Sequence, residues 1–202
     1  MLEKLFHDIV TLFVVINPIG VVPLFVGVAG HESATARRRV AGQAIIISGV
    51  ILLAFIAIGQ LMLEALGIDL ASFRIAGGLV LFVIALRMVL EERRITSDTN
   101  PSLGSNVAVF PLAMPFIAGP ASIMALVLLT DNNVYTVWQQ AETAALLLLV
   151  LAFTYVCLVG AEFVQRLLGP TGANVVSRIM GLILAVLAVQ SILTGLHDVL
   201  HS

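Results

Sequence analysis

Six long apolar runs, almost free of charge, constrain this chain more than any other feature. They cover residues 9–29, 40–63, 73–90, 107–130, 143–168 and 179–196. A helix needs about 20 apolar residues to cross about 30 Å of hydrocarbon, and each run is close to that length. The runs are continuously apolar rather than alternating, which indicates helices and not the strands of a membrane barrel. We therefore expect an all-α membrane protein, with six transmembrane helices in a single domain over residues 1–202.

The composition excludes several other classes of protein. Only 11% of the residues are charged, whereas a soluble domain carries about 25%. The net charge of −2 gives no basic surface for nucleic acid, so no nucleic-acid partner is expected. The single cysteine, Cys157, excludes an intrachain disulfide. The first run lacks a basic leader and contains two prolines, so we expect it to be retained rather than cleaved as a signal peptide.

The basic residues predict the orientation of the spans. Six spans place both termini on one side, and the ten Lys and Arg residues then divide eight to two. Lys4 and Arg74 lie on the side of the termini, and the other eight lie on the opposite side. Because positive loops stay in the cytoplasm, both termini are expected outside. The run Arg37–Arg39 is explained as part of this topology signal, with anionic lipid or partner binding as the alternative.

The two halves of the chain resemble each other. The third and sixth runs both open with Arg-Ile-x-Gly, at Arg74 and Arg178, and Leu-Gly precedes each of them. Three spans per half is an odd number, so the second half enters the membrane in the opposite sense. This pattern predicts an inverted repeat, which is typical of secondary transporters. Repeat one is expected over residues 1–90, a linker over 91–106 and repeat two over 107–202.

Proline and glycine interrupt the first and fourth runs at similar depth. The first run reads Asn-Pro-Ile-Gly-Val-Val-Pro over residues 17–23, and the fourth reads Pro-Phe-Ile-Ala-Gly-Pro over 115–120. The register is open, because Asn17-Pro18 also matches Gly119-Pro120. Proline lacks an N–H and clashes with the carbonyl four residues earlier, so both helices should break near mid-membrane. The residues predicted to form a site are Asn17, Pro18, Gly20, Pro23, Pro115, Ala118, Gly119, Pro120, Ser122 and Gln190.

Two broken helices that meet at the centre of the fold suit a small zwitterion. Half-helix N-termini offer N–H donors to a carboxylate, and freed carbonyls suit an ammonium group or a cation. The alternative is that these prolines and glycines are only kinks and packing sites. No Asp, Glu or His stands at the centre of a run, so no proton relay is evident. Exchange, sodium bound by carbonyls, and proton coupling through a peripheral group such as Glu162 stay open.

These motifs resemble the MarC family of six-span bacterial integral membrane proteins. The resemblance covers the whole chain. It is carried by Arg-Ile-x-Gly and by the two proline motifs, at Asn17, Pro18, Gly20, Pro23, Pro115, Gly119 and Pro120. It implies a location in the bacterial cytoplasmic membrane and transport of small neutral amino acids such as alanine or glycine.

The sequence therefore predicts a secondary transporter, an exporter or exchanger, that works by alternating access. An ion or small-solute channel and a non-transporting membrane scaffold are the alternatives. An enzyme is not expected, because the spans lack a constellation of catalytic groups. No cofactor is predicted, and the terminal pair His197 and His201 is given no metal role, although its spacing leaves that open. The expected partners are a small solute and the lipid bilayer, and nothing in the sequence indicates an oligomer.

Overall fold

All the regular structure that is described is helical. The computed structural model describes residues 2–30, 32–90, 112–113 and 116–201. In these ranges the chain forms seven α-helices and, at 112–113 and 116–117, π-helical turns. The helices are α1 Leu2–Ile16, α2 Pro18–Ala29, α3 Ala34–Ala65, α4 Leu70–Leu90, α5 Pro120–Leu129, α6 Val137–Val159 and α7 Ala161–His201. The expectation of an all-α membrane protein is confirmed for this part of the chain.

Five segments are long and apolar enough to cross a membrane. They are Leu2–Gly27, which joins α1 and α2, then Ala34–Ala65, Leu70–Leu90, Val137–Val159 and Arg178–Leu200. The shorter apolar helix α5 corresponds to the second half of the fourth predicted run. Most of the first half of that run, and the predicted linker 91–106, lie outside the described residues. The structure thus supports a multi-span helical protein, with five spans and one shorter helix in its described part.

The fifth predicted run, 143–168, is wrong at both ends. α6 begins earlier because Thr136 and Gln139 form a capping box, in which each side chain accepts a hydrogen bond from the other residue's backbone N–H. It ends at Gly160, the C-cap residue. Glu162 therefore lies beyond the span, where it is 61% exposed and forms a 2.6 Å ion pair with Arg37 of α3.

The helices α1 and α6 lie side by side and run in the same direction. Near their beginnings, the Thr143 hydroxyl donates to the Asp8 carboxylate at 2.7 Å. Further along both helices, the rings of Phe13 and Phe153 pack with their centroids 5.6 Å apart. Residue numbers rise together along the two helices, so the pair is parallel. This arrangement fixes the direction of α1 relative to the rest of the bundle.

The helices α4 and α7 form a close antiparallel pair through glycine. A Cβ at Gly78 would lie 3.0 Å from the carbonyl oxygen of Ala188, and one at Gly181 would lie 3.1 Å from that of Ala85. The absence of side chains lets the two backbones approach, as is common between membrane helices. At one end of the pair, Arg74 and Asp198 form a 2.7 Å ion pair.

The glycines of the two matched Leu-Gly pairs share an unusual backbone conformation. Gly67 has a φ of 67° in the turn after α3, and Gly169 has a φ of 63°. Gly169 breaks the helical geometry of α7, so this long helix consists of two pieces joined at a kink. Left-handed backbone favours glycine because any Cβ is strained there. The short matched motifs of the two halves therefore have a common physical basis.

Candidate substrate site

The first break is built around Asn17, which separates α1 from α2. Asn17 has a φ of 51° and a ψ of 63°, a left-handed conformation that asparagine tolerates better than most residues. Its side-chain oxygen accepts a hydrogen bond from the N–H of Gly20 at 3.1 Å, and so caps α2. Pro18 occupies the first turn of α2, where its missing N–H does not matter. The sequence prediction of a helix broken at this motif is confirmed.

The break leaves the carbonyl of Val14, near the end of α1, without its usual helical donor. The carbonyl of Val14 would accept from residue 18, but Pro18 has no N–H. The N–H of Gly20 donates to the side chain of Asn17. Val14 and Ile16 are both buried. Buried carbonyls that lack a helical donor need another partner, so the end of α1 is suited to bind a positive group.

The second break lies just before α5. The N–H of Ala118 donates to the carbonyl of Ala113 at 2.9 Å, the five-residue spacing of a π turn. Gly119 then adopts an extended conformation, with a φ of −82° and a ψ of 173°, and Pro120 begins α5. Gly119 has no side chain to cap the helix. The first N–H groups of α5 therefore remain available to an anion at the positive end of the helix dipole.

A buried hydroxyl lies in the first turn of α5. The side chain of Ser122 belongs to a residue that is 1% exposed, and its Oγ has no hydrogen-bond partner among the described residues. A buried polar atom without a partner costs about 1–3 kcal/mol. Such atoms are rare in proteins, and a bound polar ligand is one way to satisfy them. Ser122 thus adds a side-chain donor or acceptor to the open N-terminus of α5.

The two breaks lie at a similar level because α1 and α5 are antiparallel neighbours. The connection between α5 and α6 contains Tyr135, whose ring lies 4.4 Å from the Lys4 ammonium near the beginning of α1. α1 starts at this end of the bundle, whereas α5 finishes there. Measured from this end of the bundle, the 15 residues of α1 extend about 22 Å along the helix axis. The 10 residues of α5 reach about 15 Å beyond the connection. Ile16 and Ala118, one beside each break, are both fully buried.

The pair of breaks therefore presents two opposite partial charges. The C-terminal end of α1 offers the carbonyl of Val14 and the negative end of a helix dipole, while α5 offers N–H groups and the positive end. No charged side chain occurs in residues 14–23 or 116–123. Such a site can bind an ammonium and a carboxylate on one small molecule without favouring a net charge.

The structure buries some of the predicted site residues and not others. Pro18 and Gly20 are buried at the first break, and Ala118, Gly119 and Ser122 are buried at the second. Asn17 is half-buried, as is Pro23, which lies within α2. Pro120 and Gln190 are exposed, so these two side chains do not join the buried groups. Pro115 lies outside the described residues.

A buried carboxylate was missed by the sequence analysis. Asp8 was placed before the first apolar run, but α1 begins at Leu2, so this residue lies within the span Leu2–Gly27. It is fully buried and forms a 2.5 Å ion pair with Lys4. Asp8 stands just before the first predicted run, so a search for acidic residues at the centres of the runs does not find it. The spacing of four residues between Lys4 and Asp8 is the signal that could have revealed the pair.

A second buried carboxylate holds α3 to the connection after α5. Asp131 is 3% exposed, and its side chain accepts hydrogen bonds from the Gln60 amide at 2.7 Å and from the Asn133 N–H at 2.9 Å. The Gln60 side chain in turn accepts from the N–H of Asn132 at 2.7 Å. These contacts give Asp131 a structural role at the same end of the bundle as Lys4.

A cleft of about 380 Å³ lies at the opposite end of the bundle. It is lined by the beginning of α3, including Arg37 and Arg38, and by the junction of α6 and α7 around Glu162. The ion pair between Arg37 and Glu162 crosses it. The cleft lies near the ends of long helices, away from the level of the two breaks.

The comparisons with known proteins establish the family. The family model described as MarC family integral membrane protein matches residues 2–200. This chain belongs to the MarC family. Among its MarC relatives, the inner membrane protein YhgN of Escherichia coli is 31% identical over 196 residues, which are 97% of this chain and 98% of the relative. The membrane protein YvbG of Bacillus subtilis is 33% identical over 202 residues, 97% of this chain and 95% of the relative.

The relatives of this chain include a protein from an archaeon. A membrane protein of Methanocaldococcus jannaschii is 34% identical over 195 residues, 94% of each chain. No solved structure matches this MarC protein. The names of these relatives place them in membranes and state no activity. The MarC match covers both breaks and the Lys4–Asp8 pair, so all of these features belong to the family domain.

Proposed function

We propose that this MarC-family protein is a secondary transporter, an exporter or exchanger, of small neutral amino acids such as alanine or glycine. One observation carries the proposal. The N-terminus of α5 has no side-chain cap, and the buried Ser122 hydroxyl in its first turn has no hydrogen-bond partner among the described residues. It lies at a level similar to that of the break that ends α1, where Pro18 leaves the carbonyl of Val14 without its helical donor. A membrane-buried pair of half-helix ends is the arrangement that transporters use to bind substrate at the bilayer midplane.

The two ends of an amino acid would bind to the two breaks. Its carboxylate would accept from the backbone N–H groups at the start of α5 and from Ser122. Its ammonium would donate to the carbonyl of Val14 near the end of α1. Ala118 and Gly119 have little or no side chain, so they leave space for only a small substituent. A charged substituent would lack a counter-charge in this setting and would remain poorly bound.

The architecture in this proposal is the inverted repeat of two three-span halves. The matched glycines Gly67 and Gly169 and the antiparallel pair of α4 and α7 support it. One half would rock against the other and expose the breaks to each side of the membrane in turn. Both termini would face outward from the cytoplasmic membrane. A C-terminal alkaline phosphatase fusion should then be active in cells, and a C-terminal green fluorescent protein fusion should stay dark.

Counterflow of labelled alanine in proteoliposomes tests the function. Wild-type protein should accumulate the label against preloaded unlabelled alanine or glycine. Asn17→Ala removes the cap of the first break, and Gly119→Leu fills the second, so both variants should lose exchange. Gly42→Ala is the matched control. Its new Cβ would lie 3.9 Å from a ring carbon of Tyr155, which is an ordinary van der Waals distance. Folding is checked for each variant by thermal unfolding.

The alternatives give different outcomes in the same vesicles. A channel would pass solute or ions without counterflow and would give single-channel currents. A scaffold would give no flux, and the Asn17→Ala and Gly119→Leu variants would leave the cellular phenotype unchanged. Failure of folded wild-type protein to exchange alanine, glycine, serine or threonine would exclude the amino-acid proposal.

A further inference from the structure

We propose that the carboxylate of Asp8 is the coupling site of the transport cycle, and that the coupling ion is a proton. This inference rests on the proposed function, since it names the ion that drives it. Asp8 is fully buried in a membrane-spanning segment, and its Oδ1 atom has no hydrogen-bond partner among the described residues. An ionisable group inside a membrane is costly and usually marks a path for substrate, ions or protons.

The partners of Asp8 leave one oxygen free for a proton. Oδ2 accepts from the Lys4 ammonium at 2.5 Å and from the Thr143 hydroxyl at 2.7 Å. Oδ1 is buried and accepts nothing. A carboxylate that is ionised can accept at both oxygens, so half of its capacity is unused. The free oxygen is the position where a proton would bind.

The Thr143 hydroxyl can serve both protonation states of Asp8. Its single proton has two acceptors within range, Oδ2 of Asp8 at 2.7 Å and the carbonyl of Gln139 at 3.1 Å. While Asp8 is ionised, Thr143 donates to it. Once a proton binds Oδ1, Oδ2 is still an acceptor, so the Thr143 hydroxyl can keep its hydrogen bond to Oδ2 or turn to Gln139. No hydrogen bond is lost when the proton arrives, so Thr143 is a positioning residue for the exchange.

Lys4 has a second interaction partner when Asp8 gains a proton. Protonation removes the negative charge of the pair while Lys4 keeps its positive charge. The ammonium already lies 4.4 Å from the centroid of the Tyr135 ring, a cation–π distance. Its side chain is 14% exposed, so part of it lies at the surface of the protein. The charge of the Asp8 carboxylate can therefore be balanced in turn by the Lys4 ammonium and by a bound proton.

The other charged groups around α1 are occupied elsewhere or absent. α2 and α5 contain no titratable residue. On α6, Glu142 adjoins Thr143 and is half-buried, while Tyr155 lies towards α3 and Cys157 is more than three turns further along. The remaining groups are Asp131, which binds Gln60; Glu162, which binds Arg37; Asp198, which binds Arg74; and His7, Arg178 and His197, which are exposed. Within the described residues, Lys4 is thus the cation that pairs with Asp8.

The chemistry of the cluster favours a proton over a metal cation. A metal cation needs a shell of several oxygen ligands. Apart from Thr143, the polar group bound to Asp8 is a lysine ammonium, which would repel a metal ion. A proton needs only one carboxylate oxygen. The charge balance is also complete. Asp8 takes up a proton from one side of the membrane and releases it from the same oxygen to the other side, so its charge is restored in each cycle.

Asp8 can influence the substrate site through α1. Eight residues separate it from Ile16, so it lies about 12 Å from the first break along one rigid helix. The contact between Asp8 and Thr143 joins α1 to α6, and protonation changes that contact from an ion-pair network to a neutral hydrogen bond. A shift of α1 against α6 would move the carbonyls at its end. This provides a physical link between proton uptake and access to the breaks.

Two measurements on the full-length protein in proteoliposomes test the proposal. The first is the infrared C=O stretching band of a protonated carboxyl, followed as a function of pH. Wild-type protein should show a pH-dependent band that is missing in Asp8→Asn and is kept in the matched control Asp131→Asn. Lys4→Met removes the charge beside Asp8, so it should change the pH at which the band appears. Thr143→Val should alter the same titration without removing the band.

The second measurement separates coupling from substrate binding. A pH gradient should drive labelled alanine uphill in wild-type vesicles, and a sodium gradient should not. Asp8→Asn should lose this accumulation while alanine counterflow continues. Wild-type accumulation driven by sodium, or continued proton-driven accumulation in Asp8→Asn, would overturn the proposal. So would equal losses of counterflow and accumulation in step with lost thermal stability, because a purely structural Asp8 predicts that result.

The two proposals fail in different ways. If wild-type protein exchanges no neutral amino acid, the proposed function fails, but the infrared measurement still tests whether Asp8 binds a proton. If no pH-dependent carboxyl band is assigned to Asp8, the proton site is rejected even when amino-acid exchange is intact. Should Asp8→Asn fail to fold, Thr143→Val and Lys4→Met decide the question through the position of the band.

Discussion

The side chain of Asn17 folds back over Gly20, and each residue requires the other. The amide oxygen of Asn17 accepts from the N–H of Gly20 at 3.1 Å. A Cβ at position 20 would lie 2.1 Å from the amide nitrogen of Asn17, far inside any real contact. The glycine is therefore needed to admit the cap, and the cap is needed to end α1 and begin α2. This explains in physical terms why Asn-Pro-x-Gly marks the first break.

Gly20→Ala should displace the Asn17 side chain and destroy the cap. Loss of a helix cap costs about 1 kcal/mol, and up to about 2 kcal/mol at exacting sites. We expect a lower midpoint of thermal unfolding together with loss of alanine counterflow. Asn17→Asp keeps the acceptor oxygen and tolerates the left-handed backbone, so it should retain the fold. Unchanged stability and exchange in Gly20→Ala would contradict the assigned role of the cap.

Ser122→Ala should separate stability from substrate binding. Removing a buried hydroxyl that lacks a partner relieves a penalty of about 1–3 kcal/mol, so the substrate-free protein should become more stable. The same change removes a ligand for the substrate carboxylate, so the KM for alanine exchange should rise. Unfolding midpoints and counterflow at several alanine concentrations measure the two effects.

Ser48→Ala is the matched control for this prediction. Ser48 in α3 is also fully buried, and its hydroxyl also lacks a partner among the described residues. It lies outside the two breaks, so its replacement should raise stability and leave KM unchanged. An equal change of KM in both variants would show that Ser122 affects exchange only through packing.

Gly181→Ala should weaken the pair formed by α4 and α7. The new Cβ would lie 2.9 Å from the Cβ of Met88 and 3.1 Å from the carbonyl oxygen of Ala85, so the helices must separate. Overpacking of this kind costs about 1–3 kcal/mol. Unfolding in mixed detergent measures the loss. Gly42→Ala meets only an ordinary contact at 3.9 Å, and as a helix-interior change it should be neutral or stabilising by about 0.5–1 kcal/mol.

Asp69 should give the protein an acid-sensitive contribution to stability. Hydrogen bonds from the backbone N–H and the hydroxyl of Ser72 lower the pKa of this exposed carboxyl before α4. A lowered folded-state pKa means that the stabilisation is present above the ordinary value of 3.8 and is lost as pH falls through the folded-state pKa. The difference in unfolding midpoint between wild type and Asp69→Asn should therefore shrink in that range. A difference that is constant down to lower pH would argue against this cap.

Much of the architecture could be predicted from sequence because the bilayer imposes simple rules. Apolar runs of about 20 residues must be helices, since backbone polar groups in hydrocarbon have to be satisfied within the segment. Helix breaks could be predicted because proline lacks a donor and asparagine and glycine tolerate left-handed or extended backbone. The motif at 17–23 was located correctly for this reason. The fifth run was placed wrongly because apolar residues continue past Gly160, whereas α6 ends at Val159 and Gly160 is its C-cap residue.

The tertiary structure alone decided which side chains meet and which are buried. Asp8 directly precedes the first predicted run, yet packing of α1 against α6 buries it and joins it to Thr143, 135 residues away. Gln190 looked central by its position in a span but faces outward on α7. The sequence determined the helices, their breaks and the membrane setting, because these depend on local composition and backbone chemistry. The proton site and the polar lining of the breaks depend on contacts between distant helices, which only the packed fold defines.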